Sequence, residues 1–427
     1  MNKALFDYIA ACPTPYHAAA HTGRMLEQAG YIRLSEGGRW QLERGRGYYV
    51  TRNGSSLLAF RLPEREFSGY MIAAAHCDSP CLKIRENAAL RDGAYVRLST
   101  EKYGGMLCAS WLDRPLSVAG RVMVRTADGT AVRLVDLGDP AALIPSVAIH
   151  MNRKANDGMA YNAAVDMLPL YSADRACDFR ARIAEAAGIS GQEILASDLF
   201  VYNPQPGVQW DAFISAPRLD DLQCAFAALT AFLQAQPGGS VPVLCLFDNE
   251  EVGSQTKQGA ASTFLADTLV RIGSCCGLDG AEHRRRIANS FRVSCDNAHA
   301  VHPNHPEYAD KNHAPQMNGG VVLKYNAAQR YTTDAASAAL LRLICREAQV
   351  PVQEYANRAD LPGGSTLGNI SNTQVSLNAA DVGLAQLAMH SAFETAGSAD
   401  TQYLARALEV FYGKTLQMND DGGCRLF

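Results

Sequence analysis

His76, Cys77 and Asp78 form an H-x-D triplet, in which an imidazole can bind a metal while the aspartate fixes the ring through its other nitrogen. Glu250 and Glu251 are adjacent carboxylates whose side chains diverge, so one can ligate an ion while the other stays free to move a proton. Asp220, Asp296 and His390 are further ionisable residues beside apolar runs. Each has a plainer reading when taken singly: Asp220 as a helix cap, His390 as a histidine satisfied within a core, Asp248 to Glu251 as a solvated acidic turn. Together, two histidines and several carboxylates supply the mixed nitrogen and oxygen ligands that zinc accepts, with a carboxylate to spare for bridging two ions. Such a pair acidifies a shared water and polarises a carbonyl, which is hydrolysis without a serine or cysteine nucleophile. The sequence contains no G-x-S-x-G that would suggest a serine hydrolase.

Three short, mainly apolar runs have to carry these residues. Gly69 to Ala75 ends at His76, Val241 to Phe247 ends at Asp248 and the two glutamates, and Phe291 to Cys295 ends at Asp296. Runs of this kind read as central strands covered on both faces. In an α/β sheet, ligands gather beyond the carboxyl ends of the strands, so three strands that stop at ionisable residues predict one shared site. Leu222, Phe226, Leu229 and Leu233 predict a helix entered at Asp220, and Thr333 and Asp334 predict the start of another. Ser398 is the expected cap of a last helix carrying Tyr403, Leu404, Leu408 and Phe411. The stretch from Asn87 to Ala196 is different, with turn-punctuated β segments at Tyr95 to Leu98, Gly120 to Arg125 and Ala131 to Val135. The expected organisation is an α/β, mixed-sheet domain made of residues 1–86 and 197–427, interrupted by a β-rich insertion at 87–196.

At 427 residues the chain exceeds one ordinary core, in keeping with two structural units. A net charge of −4 gives no broad attraction for nucleic acid or an anionic membrane. No apolar run reaches the ~20 residues that span a bilayer, and Asp7 stands where a signal peptide would be apolar, so a cytoplasmic location is expected. The 12 cysteines are scattered, several within apolar runs, and read as reduced, buried thiols.

The ordered segments HCDSP, PRLDDLQ, DNEEVGS, SCDNAHAVHP, KYNAAQRYTTDA, GGSTLGNI and AMHSAFETAG, spread over nearly the whole chain, resemble the aspartyl aminopeptidase family of two-zinc peptidases. The resemblance implies that His76 and Asp296 bind one zinc, that Glu251 and His390 bind the other, and that Asp220 bridges them. Glu250 would be the general base and Asp78 would orient His76. It also implies a cis peptide between Asp220 and Asp221, the latter standing where the family often has asparagine. Co2+ or Mn2+ are possible substitutes for zinc. The β-rich insertion would form dimer contacts within a homododecamer that admits short peptides, with His150 reaching a neighbouring subunit's site to stabilise the oxyanion. Lys324 would lie near the substrate side chain and favour Asp or Glu at the peptide's first position. The same apparatus would also suit a dipeptidase or amide deacylase, and a non-catalytic, zinc-stabilised assembly protein is the reading from another class.

Overall fold

The computed structural model describes residues 1–189, 193–361 and 363–427. The three apolar runs form strands Tyr70–His76, Val241–Phe247 and Phe291–Cys295, each buried along its full length. They sit in the middle of a nine-stranded sheet. Its order, edge to edge, is Ile32–Leu34, Gly47–Arg52, Ser56–Arg61, Val241–Phe247, Tyr70–His76, Phe291–Cys295, Asn378–Gly383, Val321–Tyr325, Val352–Ala356. The four strands from Val241–Phe247 to Asn378–Gly383 run parallel, so their carboxyl ends share one edge. The register sharpens this point: Phe247 pairs with His76 and Ser294 with Ala74, which brings Asp296, two residues on, level with His76.

Apolar residues on both faces of these strands explain why the runs are continuous instead of alternating. Met71, Ala73 and Ala75 point into one core with Leu244 and Leu246, under the helices Asn2–Ala11, Leu219–Gln234, Ala335–Glu347 and Asp400–Tyr412. Tyr70, Ile72 and Ala74 point the other way, with Val243, Cys245 and Phe247, against the helix Phe264–Cys275. Helix Leu219–Gln234 is buried nearly all round, so the stripe of Leu222, Phe226 and Leu229 is only part of its packed surface.

A second, six-stranded antiparallel sheet runs in the order Gly129–Asp136, Ser117–Thr126, Ile194–Tyr202, Cys81–Leu90, Val96–Tyr103, Leu170–Ser172. It has its own core, including Leu82, Leu98, Trp111, Val118, Val122 and Val201, with Phe179 and Ile183 from the short helix Phe179–Ala186. In chain order its strands run from Cys81–Leu90, shortly after His76, to Ile194–Tyr202, which leads toward Asp220, so the sheet reaches a few residues outside 87 and 196. Among the described residues no helix is long and apolar enough to cross a membrane. All twelve cysteines are free, and Cys12, Cys77, Cys224, Cys245, Cys295 and Cys345 are buried.

The last helix begins at Asp400 and Ser398 does not cap it. The Ser398 N–H donates to the carbonyl of Ala212, and the Asn318 side chain instead accepts from the N–H of Ala399. Asp334 does cap its helix: its carboxylate accepts the Ser337 N–H at 2.8 Å, and the Ser337 hydroxyl accepts the Asp334 N–H at 2.9 Å. Replacing Asp334 with Ala should therefore lower the unfolding free energy by about 1 kcal/mol in urea titration, with the slope unchanged. An unaltered midpoint would show that the cap contributes nothing.

Candidate metal centre

Every expected ligand stands at the carboxyl edge of the large sheet or on a loop folded over it. His76 ends its strand, and its ring is 1 % exposed. The Nδ1 atom lies 3.1 Å from the Asp78 carbonyl oxygen and 3.5 Å from Oδ1 of the same residue, leaving Nε2 to face inward. That Nε2 is 3.5 Å from Asp220 Oδ1 and 3.9 Å from Asp296 Oδ1. On the other side, His390 Nε2 lies 3.4 Å from Asp220 Oδ2 and 3.3 Å from Glu251 Oε2, with Nδ1 3.1 Å from the Gly105 carbonyl oxygen. Asp220 thus offers one oxygen to each histidine. The potential ligand atoms of His76, Asp220 and Asp296 cluster within 4.8 Å of one another, as do those of Asp220, Glu251 and His390.

The donor set fits a pair of metal ions. Two ligands each about 2.0 to 2.1 Å from a tetrahedral zinc stand roughly 3.3 to 3.5 Å apart, close to the spacings at Asp220. Asp220 Oδ1 and Glu251 Oε1 are buried oxygens that accept no hydrogen bond, an expensive omission unless a cation sits beside them.

Local chain geometry explains how the ligands are held. Asp220 and Asp221 have non-helical backbone angles, so the regular helix begins after them, and the peptide bond joining them is cis. Asp221 is buried and its Oδ2 accepts the His76 N–H at 3.2 Å. After strand Val241–Phe247, Asn249 adopts φ +63°, a left-handed turn that asparagine tolerates, and this throws Glu250 and Glu251 back over the strand ends. The Asp78 carboxylate secures the turn by accepting the N–H groups of both glutamates at 3.1 Å.

Burial opposes the ionisation of Asp220, yet His390 and His76 hold its carboxyl well below the usual range. Burial also opposes the charge on His76, but Asp220 and Asp78 keep its proton bound to well above the ordinary pH. Burial and then the Asp220 charge push Glu251 up, and burial together with Asp296, Asp78 and Asp220 pushes Glu250 up to about 8.

Two expected site residues have different settings. Lys324 is buried, its Nζ donating to the Asn297 carbonyl at 2.8 Å and lying 3.6 Å from Asp296 Oδ2. Its ammonium therefore already faces the metal centre. His150 is exposed in a turn that follows the second sheet's strand Gly129–Asp136 and belongs to neither of the two ligand clusters.

Sequence reasoning passed over Glu394. It is buried, with one oxygen accepting the Asp220 N–H at 3.0 Å and the other the His390 N–H at 2.7 Å, so one carboxylate fixes the backbones of two of the expected ligands. Its place four residues after His390, in the same HSAFET segment, was the available signal.

With this geometry in view, relatives of the chain are informative. The family model of aminopeptidase I zinc metalloprotease (M18) matches residues 8–412. A probable M18 family aminopeptidase 2 of Pseudomonas paraeruginosa is 41% identical over 427 residues, covering 97% of this chain and 98% of the relative. Among solved structures, a chain of the Ape4 and Nbr1 complex superposes with a TM-score of 0.92 at 33% identity, covering 96% of this chain and 84% of that one. A structure of the S. cerevisiae mApe1 dodecamer gives 0.84 at 27% identity, covering 96% and 95%. The chain belongs to the M18 family of zinc metalloprotease aminopeptidases.

Proposed function

We propose that the protein removes N-terminal residues from short peptides, using two zinc ions per subunit, one held by His76, Asp220 and Asp296 and the other by Asp220, Glu251 and His390. The observation that carries this reading is the placement of Asp220, with one oxygen toward each histidine and a further carboxylate beside each. Zinc in these positions supplies Lewis-acid polarisation of the scissile carbonyl and lowers the pKa of water. The chain's own groups do the rest.

Glu250 is the proton carrier. Its neighbour Glu251 faces His390, whereas Glu250 makes no ion pair among the described residues and stands among the potential ligand atoms of His76 and Glu251. In its ionised form the Glu250 carboxylate would accept the proton of the attacking water on an Oε atom and return it to the leaving amine. Asp78 keeps this glutamate in place through its backbone N–H and keeps the His76 ring turned inward.

An Asp or Glu preference would come from Lys324, which spends one of its three N–H donors on Asn297 and can direct another at an acidic side chain. Assembly follows from the second unit. Val147, Ile149 and Met151 are exposed apolar side chains, Met151 by 84%, and they flank His150. A surface of this kind is built to be covered. We take residues 87–196 as the dimerisation unit of a homododecamer, a dodecamer being the assembly named for mApe1, with His150 carried by that interface toward a neighbouring site to donate to the oxyanion.

Glu250→Gln should bind zinc normally and lose turnover by at least about 100-fold on a panel of aminoacyl p-nitroanilides with acidic, basic and apolar residues. Full turnover at full zinc content would remove Glu250 from its role, and equal rates across the panel would remove the acidic preference. The metal-free site supplies a second test. Two of the proposed ligands, His76 and Glu251, hold their protons to above their ordinary pKa values, so zinc has to displace protons and its affinity should rise with pH. Calorimetry in buffers of different ionisation enthalpy measures this release; pH-independent binding without proton release would contradict the ligand set.

A further inference from the structure

Strand Val96–Tyr103 of the second sheet ends against the metal centre, and the residues that follow it touch the supports of both ligand clusters. The Tyr103 hydroxyl donates to Asp78 Oδ2 at 2.7 Å and accepts from Asn249 Nδ2 at 2.8 Å. Gly104 is left-handed at φ +73°, and a Cβ built there would stand 3.1 Å from the Glu251 Cβ, so this backbone lies directly on a ligand. The Gly105 carbonyl faces His390 Nδ1 at 3.1 Å, and the Leu107 N–H donates to the His390 carbonyl at 2.9 Å.

We propose that Tyr103 to Leu107 forms a positioning strap by which the second sheet orients the ligands of both metals, with the Tyr103 hydroxyl as its adjustable part. The inference rests on the two-zinc reading and deepens it. Neither Tyr103 nor Gly105 is a ligand; each acts through one. Asp78 is 1 % exposed, and its carboxylate has three donors: the Tyr103 hydroxyl and the N–H groups of Glu250 and Glu251. Loss of the hydroxyl removes the shortest of these from a buried anion. It also strands the amide of Asn249, the residue on which the turn carrying both glutamates is built. One oxygen atom therefore steadies the Asp78 carboxylate near His76 and the loop that presents Glu250 and Glu251. The His390 ring is held from the same five residues through a main-chain carbonyl, which fixes the tautomer that leaves Nε2 facing Asp220.

Tyr103→Phe tests the strap, because a phenyl ring keeps the edge-to-face packing on Phe200, with centroids 5.7 Å apart, and lacks only the hydroxyl. The full-length variant is titrated with zinc against a chelator, in parallel with measurement of the thermal midpoint of the metal-free protein and of its native mass. The expected result is zinc affinity weakened about tenfold or more, with native mass unchanged. A merely structural role for the tyrosine would lower the metal-free midpoint and leave zinc affinity within about twofold of the parent, which overturns the proposal. His76→Ala separates this failure from a failure of the zinc reading. If His76→Ala loses zinc while Tyr103→Phe keeps it, the strap alone falls; if His76→Ala keeps its full zinc, the ligand assignment falls and the strap with it.

Discussion

Asp220 has its two carboxylate oxygens turned in opposite directions, toward His76 and toward His390, while Asp296 stands beside the first histidine and Glu251 beside the second in a largely buried site. Two like charges 4 Å apart repel by about 4 kcal/mol even at an effective dielectric of ~20, so this grouping is sustainable only with positive charge in its midst. The chain itself supplies His76, His390 and Lys324, fewer cations than the carboxylates they face. Burial and mutual repulsion push the carboxyl groups of Glu250 and Glu251 toward their neutral forms, and Asp220 Oδ1 and Glu251 Oε1 find no hydrogen-bond donor among the described residues. Divalent zinc resolves both at once, and membership of a zinc metalloprotease family is the expected corollary.

The remainder of the structure keeps that charge cluster in one shape. Four parallel strands bring His76, Glu250, Glu251 and Asp296 to a common edge, and burial on both faces fixes the register that sets Asp296 level with His76. Backbone N–H groups are then spent on orienting carboxylates: those of Glu250 and Glu251 on Asp78, those of Asp220 and His390 on Glu394, and that of His76 on Asp221. Charge-assisted bonds of this kind are strong and directional, so they hold the expected ligands in orientation. Asp221 has a local purpose here, since it faces the backbone of His76 and not the gap between the histidines.

How much of this was legible in the sequence depended on distance along the chain. Strands buried on both faces appear as unbroken apolar runs, so Val241 to Phe247 and Phe291 to Cys295 could be bounded to the residue, and the ionisable residue after each run marked the site. The Asp334 cap was visible because a capping box is local. Ser398 misled for the same reason: its residue type suits a cap, but the carbonyl of Ala212, distant in sequence, claims its N–H, and the Asn318 side chain accepts the N–H of Ala399 at the helix start. The contacts of Tyr103 with Asp78 and Asn249 span many residues and no spacing rule encodes them, whereas Glu394 was signalled only by its place four residues after His390. The burial of Lys324 was foreshadowed by the apolar Val321, Val322 and Leu323 before it, although its proximity to Asp296 was not.

The central claim is that Asp220 stands between two metal ions. Anomalous diffraction at the zinc absorption edge, from crystals of the zinc-loaded protein, measures this most directly. The account predicts two anomalous peaks per chain on either side of the Asp220 carboxylate, one against His76 and Asp296 and the other against Glu251 and His390. A single peak, or peaks remote from Asp220, would contradict it.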